Sequence, residues 1–302
     1  MIPVRVAGSC ARAIIDANSV GRVLAVFERS SYITFGEQVI CLGSTTLGAG
    51  PLSLLFDWPS GWRWPAHGAG AGVSILRQGA MLYLEAGACF DLAHAAVWHA
   101  PVPARVACDK LQAGLDRLRT AVVGRGARGL GTLIDPLCQA GWAEPVTDTP
   151  WLQASYGPIG RLCSWLAHAT AGFDEPPADV ERLIGLGPGL TPSGDDFLCG
   201  CLVALNHCGR ADLAARLALQ VLPIASHATH IISWAHLRAA AEGEAGQVLF
   251  DVLDSIVQGG AADLEPRLDA ITAIGHSSGW DTLAGAVAAL SASFRRANEV
   301  GG

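Results

Sequence analysis

Two adjacent carboxylates, Asp195 and Asp196, follow a stretch from Gly185 to Gly194 that holds four glycines and two prolines. Paired acids of this kind can take a proton, orient an amine or hold a metal ion. The glycines before them let backbone N–H groups approach a phosphate or carboxylate, and Thr191 and Ser193 add hydroxyl donors. The chemistry on offer is therefore anion binding beside an acid or base. The stretch lacks the Gly-Lys-Ser/Thr ending of a P-loop, and no Gly-x-Gly-x-x-Gly turn follows a strand-like run. A plainer reading, a helix start with an elaborate entry turn, stands beside it.

A second stretch, Ile274 to Thr282, again runs a Gly/Ser turn into an apolar helix. His276, Ser277 and Ser278 precede Asp281, so Ser278 is a candidate N-cap with Asp281 three residues on. Ser193 and Asp196 stand in the same relation in the first stretch. Two helix N-termini aimed at one point would bind a small dianion without a lysine, and Lys110 is the sole lysine in the chain. We therefore expect the two ends to meet. Asp195, Asp196 and His276 are the catalytic candidates, with Asp195 favoured over Asp196 because capping already accounts for the latter. Gly187, Gly189, Leu190, Thr191, Ser193, Gly194, Ser277, Ser278 and Asp281 are the substrate-binding candidates. A metal ion at Asp195/Asp196 is one chemistry the pair allows; no cofactor is implied. Arg63, Arg161, Arg182 and Arg238 are candidates for pairing with a substrate anion. In a third stretch, helical spacing would put His227 and His230 on one face and Thr229 with Ser233 on a neighbouring one; capping and satisfied polar groups are the favoured account.

These motifs need elements to hold them. Residues 1–100 read as β: short runs at Val23–Phe27, Tyr32–Phe35, Val39–Leu42, Leu52–Phe56, Val73–Leu76 and Met81–Glu85 are separated by tight turns. Short connections imply an antiparallel barrel or sandwich. The loop from Asp57 to Gly72 carries Trp58, Trp62, Trp64 and His67, suited to packing, an interface or a lid. From residue 101 the period becomes helical, as in Leu111/Leu115/Leu118/Val122 and Trp280/Leu283/Val287/Leu290/Phe294. The fold class is α+β, with a β-rich domain over 1–100 and an α-helical domain over 101–302. Loops are expected over 145–150 and 173–178, and no internal repeat is evident.

Composition narrows the partners. The chain has 302 residues, 51% apolar and only 16% charged, and a net charge of −7. The acidic balance argues against nucleic acid, and no apolar run is long enough to span a membrane. So few charges predict surface hidden in an oligomer. The chain opens without a signal-peptide pattern, and nine scattered cysteines lack a C-x-x-C pair, which predicts reduced thiols in the cytoplasm.

The motif from Gly187 to Gly200 resembles the signature of the AllH-like family, whose members are encoded beside FdrA-type proteins in purine and allantoin catabolic clusters. Gly275 to Gly285 is similar to that family's C-terminal motif. Thr229, Ser233, Leu237, Ala240 and Gly243 resemble its middle motif, and Gly50-Pro51-Leu52 a weaker N-terminal one. The resemblance implies a carbamoyltransferase, or a subunit of one, acting on a small ureido acid or carboxylated amide of the oxamate/oxalurate type with carbamoyl phosphate or phosphate. It also implies FdrA-like partner subunits. The Ser-x-Arg-Thr loop of ordinary transcarbamoylases is missing, since Ser44-Thr45-Thr46 lacks the arginine. Two other readings stay open: a non-catalytic partner of an FdrA-like enzyme, and a stand-alone hydrolase or lyase of a small carboxylated amide.

Overall fold

A computed structural model describes residues 1–85, 87–139, 147–169, 175–259 and 264–294. Parts of the loops expected over 145–150 and 173–178 lie outside the described residues. The chain divides into two compact units: one holds Met1–Ala100 with Glu244–Gln247, the other Pro101–Gly243 with Val248–Gly302.

The first unit is a barrel. Its strands are β1 (Ile2–Gly8), β2 (Val20–Val26), β3 (Ser30–Phe35), β4 (Gln38–Ser44), β5 (Ser53–Phe56), β6 (Ser74–Gln78), β7 (Met81–Leu84), β8 (Cys89–Asp91) and β9 (Ala96–Trp98), with helix α1 (Ser9–Ala17) after β1. Strands run β5-β4-β3-β2-β6-β7-β8-β1, and β1 returns to β5, so eight strands close the sheet. β1 makes this closure possible by pairing along both edges. Ile2 and Pro3 meet β8, Val6 to Gly8 meet β9, and Val4 to Ala7 meet β5 across a register shift.

Of the two closures expected, the barrel is the one formed. Most pairings are antiparallel, but β1–β8, β1–β9 and β4–β5 are parallel. The β3–β4 and β6–β7 hairpins turn through Gly36 and Gly79, both at φ 60, a conformation open to glycine at the first turn position. Inward residues fill the lumen, among them Ile33, Ile40, Leu54, Ile75, Leu82 and Phe90. Phe56 packs against Trp58, Trp62, Trp64 and Phe90 with ring centroids 5.1–5.9 Å apart, and His67 stacks on Trp62 at 3.9 Å. The tryptophan-bearing loop is thus packed as an aromatic cluster. Within the same unit Glu244 accepts a hydrogen bond from Ser9, and the Trp98 indole donates to Gln247.

The second unit is helical: α2 (Cys108–Val122), α3 (Ile134–Cys138), α4 (Pro150–His168), α5 (Ser193–His207), α6 (Ala211–Ala228), α7 (Ile231–Ala241), α8 (Gln247–Val257), α9 (Leu264–Thr272) and α10 (Ser278–Phe294). The apolar stripes account for most of them; Leu111, Leu115, Leu118 and Val122 of α2 are all buried. α5 and α10 differ, being buried almost all round, as central helices must be. All nine cysteines are free thiols. Among the described residues no helix is long and apolar enough to cross a membrane.

We propose that the helical part after residue 100 folds without the β-rich part before it. A fragment beginning at Pro101 is expected to give a far-UV circular dichroism spectrum dominated by helix. A strong strand signal in it would overturn the boundary.

Candidate functional site

The loop before α5 turns through Gly185, Gly187 and Gly189 at φ 71, 112 and 97, angles that other residues seldom adopt. It delivers the chain to Pro192, whose carbonyl accepts from the N–H groups of Asp195 (2.9 Å) and Asp196 (3.1 Å). Pro192 holds the cap position and no side chain caps the helix. The expected capping box between Ser193 and Asp196 is therefore not formed: Ser193 is already the first helical residue. α10 likewise opens at Ser278 rather than after it.

Asp195 is fully buried. Its Oδ1 accepts from the Gly185 N–H at 2.8 Å, and its Oδ2 accepts from the Ser233 hydroxyl at 2.7 Å and from the Thr229 hydroxyl. One carboxylate thus ties the loop, α5, the end of α6 and the start of α7 together. Burial raises its pKa, and the bonds from Thr229, Ser233 and Gly185 oppose the rise.

Asp196 sits differently. It is 6% exposed, and its Oδ2 is buried with no hydrogen-bond partner. Burial pushes its pKa well up. The Ser278 and Thr191 hydroxyls facing it oppose the rise, while the charges of Asp281 and Asp195 add to it. Asp281 of α10 repeats the arrangement. It is fully buried, its Oδ1 accepts from the Leu130 N–H at 2.6 Å, and its Oδ2 has no partner. Burial raises its pKa against the opposing hydroxyls of Ser277 and Ser193 and the N–H groups of Leu130 and Gly131. A 3-10 turn over Gly129–Leu133 wraps this acid. A side chain at Gly129 would run into the Asp281 carboxylate, and one at Gly131 into Trp280.

The two helix ends meet. Thr191 Oγ1 lies 2.9 Å from Ser278 Oγ, a contact spanning 87 positions of sequence. The facing is reciprocal: Ser278 of α10 faces Asp196 of α5, and Ser193 of α5 faces Asp281 of α10. Behind the ends the helices cross backbone to backbone. A side chain at Gly200 would collide with the Thr282 carbonyl, and one at Gly285 with the Phe197 carbonyl. The Cys201 thiol donates to the Gly285 carbonyl at 3.1 Å.

This symmetry extends to the sequence as a short repeat, although no repeat of domain length is present. Ser193 to Gly200 and Ser278 to Gly285 share the pattern Ser-Gly-x-Asp-x-Leu-x-Gly. Each Asp is the buried acid, and each last Gly is the crossing point. A search at eight-residue length, rather than domain length, would have found it.

The remaining candidates divide. Leu190, Gly189 and His276 are exposed, and Gly187, Gly194 and Ser277 lie within the two helix entries. A Cβ on Gly194 would strike the Leu183 carbonyl, so this glycine is there for close packing. His276 Nδ1 lies 3.1 Å from Arg128 Nη1, so the arginine donates and the ring nitrogen accepts. Arg128 was absent from the arginine candidates, because nothing in the chain ties position 128 to position 276. Arg161 pairs with Asp179, and Arg238 lies over the Trp234 ring. Arg63 belongs to the barrel unit. His227 and His230 do not share a helix face: α6 ends at Ala228, and His230 caps α7 by accepting from the Ile232 N–H. With both oxygens of Asp195 engaged, the pair Asp195/Asp196 offers a metal one free carboxylate arm. Among the described residues no three His, Cys, Asp or Glu side chains gather in a group that could hold a metal ion.

The arrangement thus joins two helix N-termini, four hydroxyls and two buried acids, with a cationic side chain at its rim. Residues 183–290 match the model of the AllH family, described as oxamate carbamoyltransferase subunit AllH. That span runs from just before the glycine loop nearly to the end of α10, and it supports an AllH-like family assignment. No solved structure matches the chain.

Proposed function

Proceeding from the AllH-like assignment, we propose that this chain is a subunit of a cytoplasmic carbamoyltransferase. It acts on a small carboxylated amide or ureido acid of the oxamate/oxalurate type, with carbamoyl phosphate or phosphate as the second reactant, in purine or allantoin catabolism. The observation that carries this reading is the Thr191–Ser278 contact at 2.9 Å, which brings two donor-rich helix N-termini to one place. Transfer of a carbamoyl group to an amide nitrogen asks for donors to the phosphate and to the oxyanion, and for an acceptor for the nitrogen's proton. Backbone N–H groups of the glycine loop, with Thr191, Ser193, Ser277 and Ser278, are assigned the first task. Asp196 and Asp281 are assigned the second, acting through the hydroxyls that face them. Arg128 with His276 at the rim is assigned to a carboxylate of the substrate.

The family is described as a subunit of oxamate carbamoyltransferase, so FdrA-like partners are part of the proposal. The test is carbamoyl phosphate formation from oxalurate and phosphate, assayed with and without those partners. Turnover that needs both this chain and phosphate is expected. Full activity of the partners alone would make the chain non-catalytic, and phosphate-independent turnover by the chain alone would make it a hydrolase. In the active assembly Ser278→Ala or Thr191→Val is expected to lower kcat by about 10²-fold, the usual loss for one oxyanion donor. An unchanged kcat in both would remove the helix junction from the reaction.

A further inference from the structure

We propose that the outward face of strands β2, β6 and β7 is where two copies of this chain meet, in a reversible dimer whose two-fold axis runs along β6. Cross-strand register sets three outward apolar residues side by side there. Val20 pairs with Leu76, and Leu76 pairs with Tyr83. They are 57%, 41% and 37% exposed, while Ile75, Leu82 and Leu84 of the same strands are buried in the barrel. Single exposed apolar residues are ordinary on a protein surface, but three in register across adjacent strands form a patch.

The charges beside this row select a second copy as the occupant. Two residues along the strands, Arg22 pairs with Ser74, and the Glu85 N–H donates to the Ser74 carbonyl at 3.1 Å. Arg22 and Glu85 therefore stand at opposite ends of one row, two strands apart. Both are exposed, and among the described residues neither is in an ion pair: Arg22 donates to the Gly72 carbonyl, and Glu85 accepts from the Ser74 N–H. A two-fold axis along β6 lays β2 of each copy over β7 of the other, so the contact repeats itself by symmetry. Arg22 then meets the partner subunit's Glu85, twice per dimer, and Val20 meets the partner subunit's Tyr83. Residues on the axis meet their own copies, where two like charges would repel. β6 presents Ser74, Leu76 and Gln78 on this face, all uncharged. Its one charged residue, Arg77, alternates to the other face and pairs with Asp16 at 2.9 Å. Three strands at a spacing of about 4.8 Å make a patch only about 10 Å wide, and the barrel curves away on both sides. Such a contact is far smaller than the roughly 800 Å² per partner of a standard interface, so the dimer forms and dissociates with concentration. The proposal does not rest on the carbamoyltransferase reading.

Sedimentation velocity of the full-length chain at rising concentration tests this. Wild type is expected to pass from monomer to dimer. Arg22→Glu sets glutamate against the partner subunit's Glu85 at both symmetric positions. An exposed ion pair turned into a like-charge pair, twice over, should raise the dissociation constant about tenfold or more. Glu85→Arg should do the same. The double variant Arg22→Glu/Glu85→Arg restores opposite charges across the axis and should return the dissociation constant to about the wild-type value. Leu76→Arg places two like charges on the axis and should leave only monomer. All three positions are exposed, so each variant is expected to melt as wild type does at low concentration, which separates lost association from misfolding. A wild-type chain that stays monomeric would overturn the dimer, and so would a dimer that withstands both Arg22→Glu and Leu76→Arg. A double variant no better than the single ones would overturn the two-fold axis. Wild type monomeric alone but bound by an FdrA-like subunit, with that binding lost in Leu76→Arg, would give the face to that subunit instead.

Discussion

Replacing Asp195 by alanine is expected to cost roughly 3–5 kcal/mol of stability, enough to unfold much of the helical domain at 37 °C. The carboxylate accepts from the Gly185 N–H, the Ser233 hydroxyl and the Thr229 hydroxyl in a place closed to water. Hydrogen bonds to a charged acceptor contribute about 1.5–3 kcal/mol each, and a buried donor left bare costs a further 1–3 kcal/mol. Alanine removes the acceptor and strands all three donors. Urea unfolding measures the loss directly, and a change below about 1 kcal/mol would mean water had replaced the carboxylate. The acid favoured from sequence as the catalytic one is thus the acid whose removal should show first in folding.

The second large effect is expected at the helix crossing. Gly285→Val would drive a branched side chain into the Phe197 carbonyl, and Gly200→Val into the Thr282 carbonyl. Overpacking against a flexible side chain costs about 1–3 kcal/mol, and here the obstacle is rigid helix backbone, so a loss of about 3 kcal/mol or more is expected from either. Moving the helices apart would also break the contact between Thr191 and Ser278. Urea unfolding and crystals of the variants check both effects. A Gly285→Val protein of wild-type stability would show that α5 and α10 can separate without penalty.

How much of this was legible in the sequence depends on the range of the contacts. Gly36 and Gly79 with alternating apolar neighbours announce hairpins, because a two-residue turn is a local event. β1 was not legible: Pro3 obscures its pattern, and its pairings are with β5, β8 and β9, far along the chain. Both helix entries around the site were visible as Gly/Ser turns before apolar runs, and so were the acids in their first turns. The assignment of roles was not. A capping box is a local expectation, and here each serine faces the acid of the other helix instead. Asp195 looked free because its partners at 229 and 233 lie on elements a sequence cannot fold back. Arg128 was invisible for the same reason, with 148 positions between it and His276.

The reciprocal arrangement of Ser193, Asp196, Ser278 and Asp281 sets when the junction can form during folding. Each first turn closes its own backbone bonds, at Pro192 in α5 and at Ser277 in α10, but the side-chain partners lie far along the chain: Ser278 faces Asp196 and Ser193 faces Asp281. Closing a loop of that length carries an entropy cost that local helix formation escapes. α5 and α10 can therefore form early by local contacts, while the side-chain contacts of their first turns wait for the crossing at Gly200 and Gly285. In native-state hydrogen exchange the amides of the two first turns should then open together, as one cooperative unit, and independently of the turns that follow them.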